Sequence, residues 1–254
     1  MLIAMTREVS PAVGACELTH LARAPIDVER AVAQHRQYEN LLAELGCELH
    51  RLPAEPALPD AVFVEDTAVV LDELAVITRP GAESRRDETA SVADALKQCR
   101  KLFHIKPSGT LDGGDVLQTG KTLYVGRSKR SNREGIEQLR SILADFGYAV
   151  VAVETQDCLH LKTAVTQVAD DTLLVNRHWV DAGVFGSMCL IDVAPSEPFG
   201  ANALRIGNTL VYPAAFPGTR QRLEALTINV RTVDASELAK AEGGVTCCSL
   251  IFKA

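Results

Sequence analysis

Five short β-prone runs, four of them closing on arginine, limit the fold of this chain more than any other feature of its sequence. Leu2–Arg7 (LIAMTR), Ala75–Arg79 (AVITR), Leu123–Arg127 (LYVGR) and Leu173–Arg177 (LLVNR) align with one another, and Leu210–Ala214 (LVYPA) is a fifth run without the arginine. Self-similarity at a period of roughly forty to fifty residues, stretched once by a long loop, belongs to propellers and repeat arrays. Asp72-Glu73, Gly120-Lys121, Asp170-Asp171 and Gly207-Asn208 each separate one of the last four runs from an earlier β-prone run, as tight hairpin connections do.

The rest of each unit follows the same grammar. Val28 to Leu45 reads as a helix stopped by Gly46, and Asn132 to Phe146 as an amphipathic helix stopped by Gly147. Asp87 to Arg100 is less regular, Thr219 to Leu226 is short, and 178–186 carries the weakest helical pattern. Third β runs come next, at Cys47–Leu52, Leu102–Lys106, Ala149–Val153, Met188–Val193 and Ile228–Val233. The first unit lacks an opening strand, and the final run, Thr246–Phe252, lacks a partner downstream. Pairing that run with Leu2–Arg7 completes a fifth unit and removes an exposed edge. The expectation is a five-bladed α/β propeller with pseudo-fivefold repeats, spanning residues 1–254 as one domain. A doubly wound sheet competes with it, but no glycine-rich phosphate turn follows any strand.

Such a ring brings the loops that precede each hairpin to one place. These loops carry Asp60, Glu65 and Asp66; Asp112 and Asp115; His160; Asn202; and Cys247. Cys247 and Cys248 taken alone read as buried thiols on an apolar strand. A His and several carboxylates converging on Cys247 make it a candidate nucleophile, with His160 as its proton-transfer partner. Asp112, within Gly109–Asp115 (GTLDGGD), would fix and charge that imidazole. Glu65 and Asp66 lie at the mouth of an apolar strand, where unpaired burial is expensive, so a cation is expected to join them. A guanidinium fits best; it belongs either to a ligand or to an internal arginine such as Arg79 or Arg127. The basic loops Arg79–Arg86 and Arg127–Asn132 offer fork-shaped donors for a ligand carboxylate.

Composition narrows the partners. A formal charge of −7 argues against nucleic acid or an anionic membrane as partner, and no apolar run approaches a spanning length. Met1–Glu8 lacks the pattern of a secretory leader, and the seven scattered cysteines include no CxxC. Free thiols, a cytoplasmic location and no structural metal are the expectations.

Arg79–Arg86 (RPGAESRR), Gly109–Asp115, Leu159–Thr163 (LHLKT) and Thr246–Ser249 (TCCS) together resemble the dimethylarginine dimethylaminohydrolase family of the pentein superfamily. The resemblance runs from Phe63 to the C-terminus and implies the pentein fold. It implies hydrolysis of N-ω-methylated arginines to citrulline and an amine through a covalent thiouronium on Cys247. His160 would be the proton donor and Asp112 its acidic partner. Asp60, Glu65 and Asp66 would receive the substrate's cationic groups, with Asp66 on the guanidinium. Arg85 and Arg130 would hold the α-carboxylate, and the carbonyls of Leu18 and Ala241 the α-amino group. No cofactor is implied, although a Cys247–His160 pair would be open to inhibitory zinc. Arginine deiminase-like hydrolysis, amidino transfer and a non-catalytic binding propeller are the alternatives. A small methylated arginine is the expected partner, and a homodimer is left open. Residues 17–24 are a candidate lid.

Overall fold

In the computed structural model, which describes residues 1–254, each of the sequence repeats becomes a separate three-stranded sheet. The second unit shows the pattern. Strands β3 (Ala68–Val70) and β4 (Leu74–Ile77) form an antiparallel hairpin; helix α2 (Thr89–Leu96) then returns the chain so that β5 (Lys101–His104) lies parallel to β4. The first unit supplies only β1 (Leu2–Arg7), α1 (Val28–Glu44) and β2 (Cys47–Leu52). The third repeats the pattern with β6 (Val116–Thr119), β7 (Thr122–Arg127), α3 (Arg133–Ala144) and β8 (Ala149–Glu154). A one-turn helix α4 (Leu161–Ala164) opens the fourth, which holds β9 (Val165–Ala169), β10 (Thr172–Val175) and β11 (Cys189–Asp192). Its crossover is only a 3-10 turn at Ala182–Phe185, where the helical pattern was weakest. The fifth has β12 (Leu204–Ile206), β13 (Thr209–Pro213), α5 (Pro217–Ala225) and β14 (Asn229–Val233), followed by α6 (Ser236–Ala239) and β15 (Leu250–Lys253).

Local chemistry accounts for the boundaries. The Asp27 and Asn132 side chains accept the Arg30 and Gly135 N–H groups at the starts of α1 and α3. Gly46 and Gly147 end these helices with φ of +90° and +73°, a region that penalises a Cβ. The long crossover between β4 and β5 is helical later than expected, because Glu83–Glu88 forms a 3-10 turn before α2. Helix α3 buries Ile136, Leu139 and Leu143 with Leu74, Leu111 and Leu123, so one core joins the second and third units.

The two ends of the chain meet. β15 pairs antiparallel with β1 through Ile3↔Phe252 and Met5↔Leu250, and β1 pairs parallel with β2, completing a fifth sheet in the order β15-β1-β2. The final strand is shorter than the sequence implies. It begins at Leu250, whereas Val245–Cys248 is a turn. Cys247 and Cys248 are therefore not strand residues, and strand alternation does not decide where their sulfurs point.

Candidate active site

Side-chain hydrogen bonds hold the turn that bears Cys247 in place of a strand ladder. The Asn202 side-chain oxygen accepts the Thr246 N–H at 3.1 Å, while its amide donates to Thr246 Oγ1 at 2.9 Å. Thr246 Oγ1 donates in turn to Glu65 Oε2 at 2.8 Å, and the Glu65 N–H donates to the Cys247 carbonyl at 3.1 Å. Beneath the turn, the buried Tyr38 hydroxyl of α1 donates to the Val245 carbonyl at 2.9 Å and meets Ser249 Oγ at 2.7 Å. The glycine pair allows close approach: a Cβ on Gly243 would stand 2.3 Å from the Phe63 ring. The Gly244 N–H reaches Cys247 Sγ at 3.3 Å.

A small polar cavity opens at that sulfur. Asp60, Asp66, Arg85, Arg130, His160 and Ala241 line it together with Cys247. Residues from five segments, far apart in sequence, thus meet in one hole. Cys248 turns away, into the core beside Tyr38 and Val245.

His160 caps α4 and is almost wholly buried. Its Nε2 lies 3.0 Å from Asp112 Oδ2 and 3.8 Å from Asp66 Oδ1. Burial alone would lower the imidazole pKa. The charge of Asp66, the hydrogen bond to Asp112 and the nearby Asp115 outweigh it and push the pKa up to about 9. The imidazole is cationic at neutral pH. Cys247 is shifted in a way that keeps it neutral: burial first, then the charges of Glu65 and Asp66, hold its thiol well above the ordinary range. Asp115, pushed up to about 6 by burial, accepts from Ser128 Oγ, Ser131 Oγ and the Leu161 N–H. It ties the His160 loop to the Arg130 loop.

The arginines are not equivalent. Arg85 is an internal partner of the carboxylates, a role that the sequence suggested for Arg79 or Arg127. Its Nε and Nη2 donate to Glu88, Nη2 also to the Phe63 carbonyl, and Nη1 to Asp66 Oδ2 at 2.7 Å. One of the five guanidinium N–H groups, on Nη1, is left for a ligand. Arg130 donates from Nη2 to Thr19 Oγ1 at 3.1 Å, while its buried Nη1 has no hydrogen-bond partner. Asp60 accepts the Glu17 N–H at 3.0 Å, and burial raises its pKa despite Arg85.

One expected ligand contact is placed differently. The Glu65 carboxylate stands off the wall of this cavity and is taken up by Lys162 at 2.6 Å and by Thr246. The Leu18 side chain packs against the core that Tyr38 and Leu41 of α1 share with Val245, and its neighbour Glu17 lines the cavity. Glu242 was missed: its carboxylate accepts the N–H groups of Thr19, His20 and Leu21 at 3.0, 2.5 and 2.6 Å and fastens that segment beside the cavity. Its left-handed φ of +61° aims it there, and the following Gly-Gly was the one hint in the sequence. Asp66, Asp112 and His160 place ligand-type atoms within 4.8 Å of one another, and Cys247 is not part of that group.

Residues 21–183 match the family model described as N,N dimethylarginine dimethylhydrolase, eukaryotic. The chain is 40% identical to the N(G),N(G)-dimethylarginine dimethylaminohydrolase of Streptomyces coelicolor, over 97% of this chain and 95% of that protein. The chain belongs to the dimethylarginine dimethylaminohydrolase family. A second member of the family, from Pseudomonas aeruginosa, is 35% identical over 89% of this chain and 90% of its own length. A solved structure of a mutant of the Pseudomonas enzyme, in complex with citrulline, superposes with a TM-score of 0.94 at 32% identity and covers 98% of both chains. This chain therefore has the α/β fold of the dimethylarginine dimethylaminohydrolases over nearly its whole length.

Proposed function

We propose that the protein hydrolyses N-ω-methylated arginines, asymmetric dimethylarginine and monomethylarginine, to citrulline plus dimethylamine or methylamine. One observation carries the reading. A cysteine that burial and two carboxylates keep protonated shares a cavity with a histidine that carboxylates keep charged. Such a pair idles until a cation enters beside the sulfur. A guanidinium accepted by Asp66 offsets the carboxylate charge that holds the thiol neutral, and so favours the thiolate. The thiolate attacks the guanidine carbon, and the C–N bond to the methylated nitrogen breaks as His160 gives its proton to the departing amine. Water, deprotonated by the now neutral His160, then displaces Sγ and leaves citrulline. Asp112 holds the imidazole cationic for the first half of this cycle. The reaction so written uses no cofactor or metal.

The free N–H of Arg130 and the single spare N–H of Arg85 are suited to the α-carboxylate. Asp60 and the Ala241 and Leu18 carbonyls are suited to the α-amino group. In this reading the five sheets stand as blades around the site, as one catalytic domain over residues 1–254. Residues 17–24, fastened by Glu242, close its entrance, and the protein works in the cytoplasm.

The test is citrulline release from asymmetric dimethylarginine by the wild type and by Cys247→Ser and Cys248→Ala. The wild type and Cys248→Ala turn over, while Cys247→Ser loses about 10⁴-fold or more. Turnover of arginine alone, or retained activity in Cys247→Ser, overturns the reading.

A further inference from the structure

The turn that bears Cys247 borders a second cavity, larger than the polar one and opposite in character. It encloses about 260 Å³ among Leu159, Phe199, Phe216 and Ala239, with Leu21 at its edge. Leu21 and Phe199 are two of the few large apolar side chains left exposed on the whole surface. Cys247, Leu159, Glu242 and Gly243 belong to the walls of both cavities, so the two are neighbours across these residues. Leu159 also precedes the proton donor His160.

Most polar groups on this second wall are already committed; the Thr163 hydroxyl and the ring of the exposed His20 are the exceptions. Asn202 gives its amide to the Lys162 carbonyl and to Thr246. Ser236 accepts from Arg30 and Gln34, and both Glu242 oxygens are taken by the 19–21 segment. Burial pushes the Cys158 thiol up to about 12, so it adds no charge. A charged or hydrogen-bonding group entering here would lose water and find few partners, whereas an apolar group gains along most of the wall.

Building on the hydrolase reading above, we propose that this cavity receives the substituent on the departing amine, and that the protein binds N-ω-substituted arginines bearing neutral apolar groups larger than methyl, up to a benzyl ring. With the guanidine carbon at Sγ, a group on the scissile nitrogen next to His160 has Leu159 to cross and the apolar space beyond to fill. The volume is ample, since an apolar cavity of about 150 Å³ already takes benzene. The chemistry is unchanged. Sγ–C forms as the C–N bond to the alkylamine breaks, His160 supplies the proton, and water then releases citrulline and restores the thiol.

The experiment is calorimetric titration of Cys247→Ser with N-ω-methyl-, propyl-, butyl- and benzyl-arginine. Affinity is expected to rise from methyl to butyl by up to roughly fourfold per buried methylene, and a 4-aminobutyl group to bind more weakly than butyl. Adding Ala239→Phe fills the cavity from an exposed position at the end of α6 and is expected to erase the gain for butyl and benzyl relative to methyl. Affinity that is flat or falling along the series overturns the proposal, as does a gain that survives Ala239→Phe. Wild-type turnover of asymmetric dimethylarginine is measured alongside. Its absence would overturn the hydrolase reading, while the binding series would still decide the cavity.

Discussion

His160 holds a proton that three carboxylates keep in place. Its pKa of about 9 means that the charge persists through neutral pH and is lost as the pH climbs past that value. The alkaline limb of kcat/KM for asymmetric dimethylarginine is therefore expected near pH 9. Asp112→Asn removes the carboxylate at 3.0 Å and should move that limb to lower pH; a limb that stays in place would assign the proton to another group. The two arginines separate by a different readout. Arg130→Ala takes away a charge-assisted donor worth ~1.5–3 kcal/mol and should raise KM about 10- to 100-fold with a smaller change in kcat. Arg85→Ala leaves Asp66 and Glu88 buried without their cation, a loss of ~3–5 kcal/mol of stability visible as a lowered Tm. The sequence could mark these carboxylates as needing a cation. It could not say which arginine supplies one, because Arg85 reaches Glu88 from one turn away and Asp66 from another element.

Helix α1 shows where sequence pattern stops being informative. Its apolar stripe was readable, yet the same face also buries Gln34, His35, Tyr38 and Glu39, which periodicity alone treats as solvent-facing. Tyr38 instead donates its hydroxyl from below to the Val245 carbonyl of the Cys247 turn. Tyr38→Phe leaves the Val245 carbonyl without its partner, a cost of ~1–3 kcal/mol, and should lower both unfolding free energy and kcat. A variant equal to wild type in urea titration and in turnover would show that the turn stands without that hydrogen bond. The turn itself was misread for a related reason. Thr246–Phe252 has the composition of a strand, but Asn202, Glu65 and Tyr38 capture its polar groups and hold it out of the ladder until Leu250. The hairpins and parallel crossovers, which depend on local turns and runs, were legible at nearly every unit.

The molecule as a whole depends on one long-range pairing. Phe252 opposite Ile3 packs the two ends of the chain into the core beneath α2, with Val92 and Leu96. Phe252→Ala should cost ~3–5 kcal/mol, which for a chain of this size lowers Tm by roughly 6–20 °C; a shift of a degree or two in a thermal scan would mean that the ends contribute little.

That pairing also sets a timetable. β1 is made before the other strands described here but cannot find its antiparallel neighbour until β15 has been made, after all four complete hairpin units. Cys247 emerges only a few residues before that strand. Its turn is clamped by Glu65, Asn202 and Tyr38, which by then have long been waiting. The chain therefore carries no working thiol site during synthesis. The site around Cys247 is complete only once this last segment has been made, so a product truncated before Cys247 lacks the thiol.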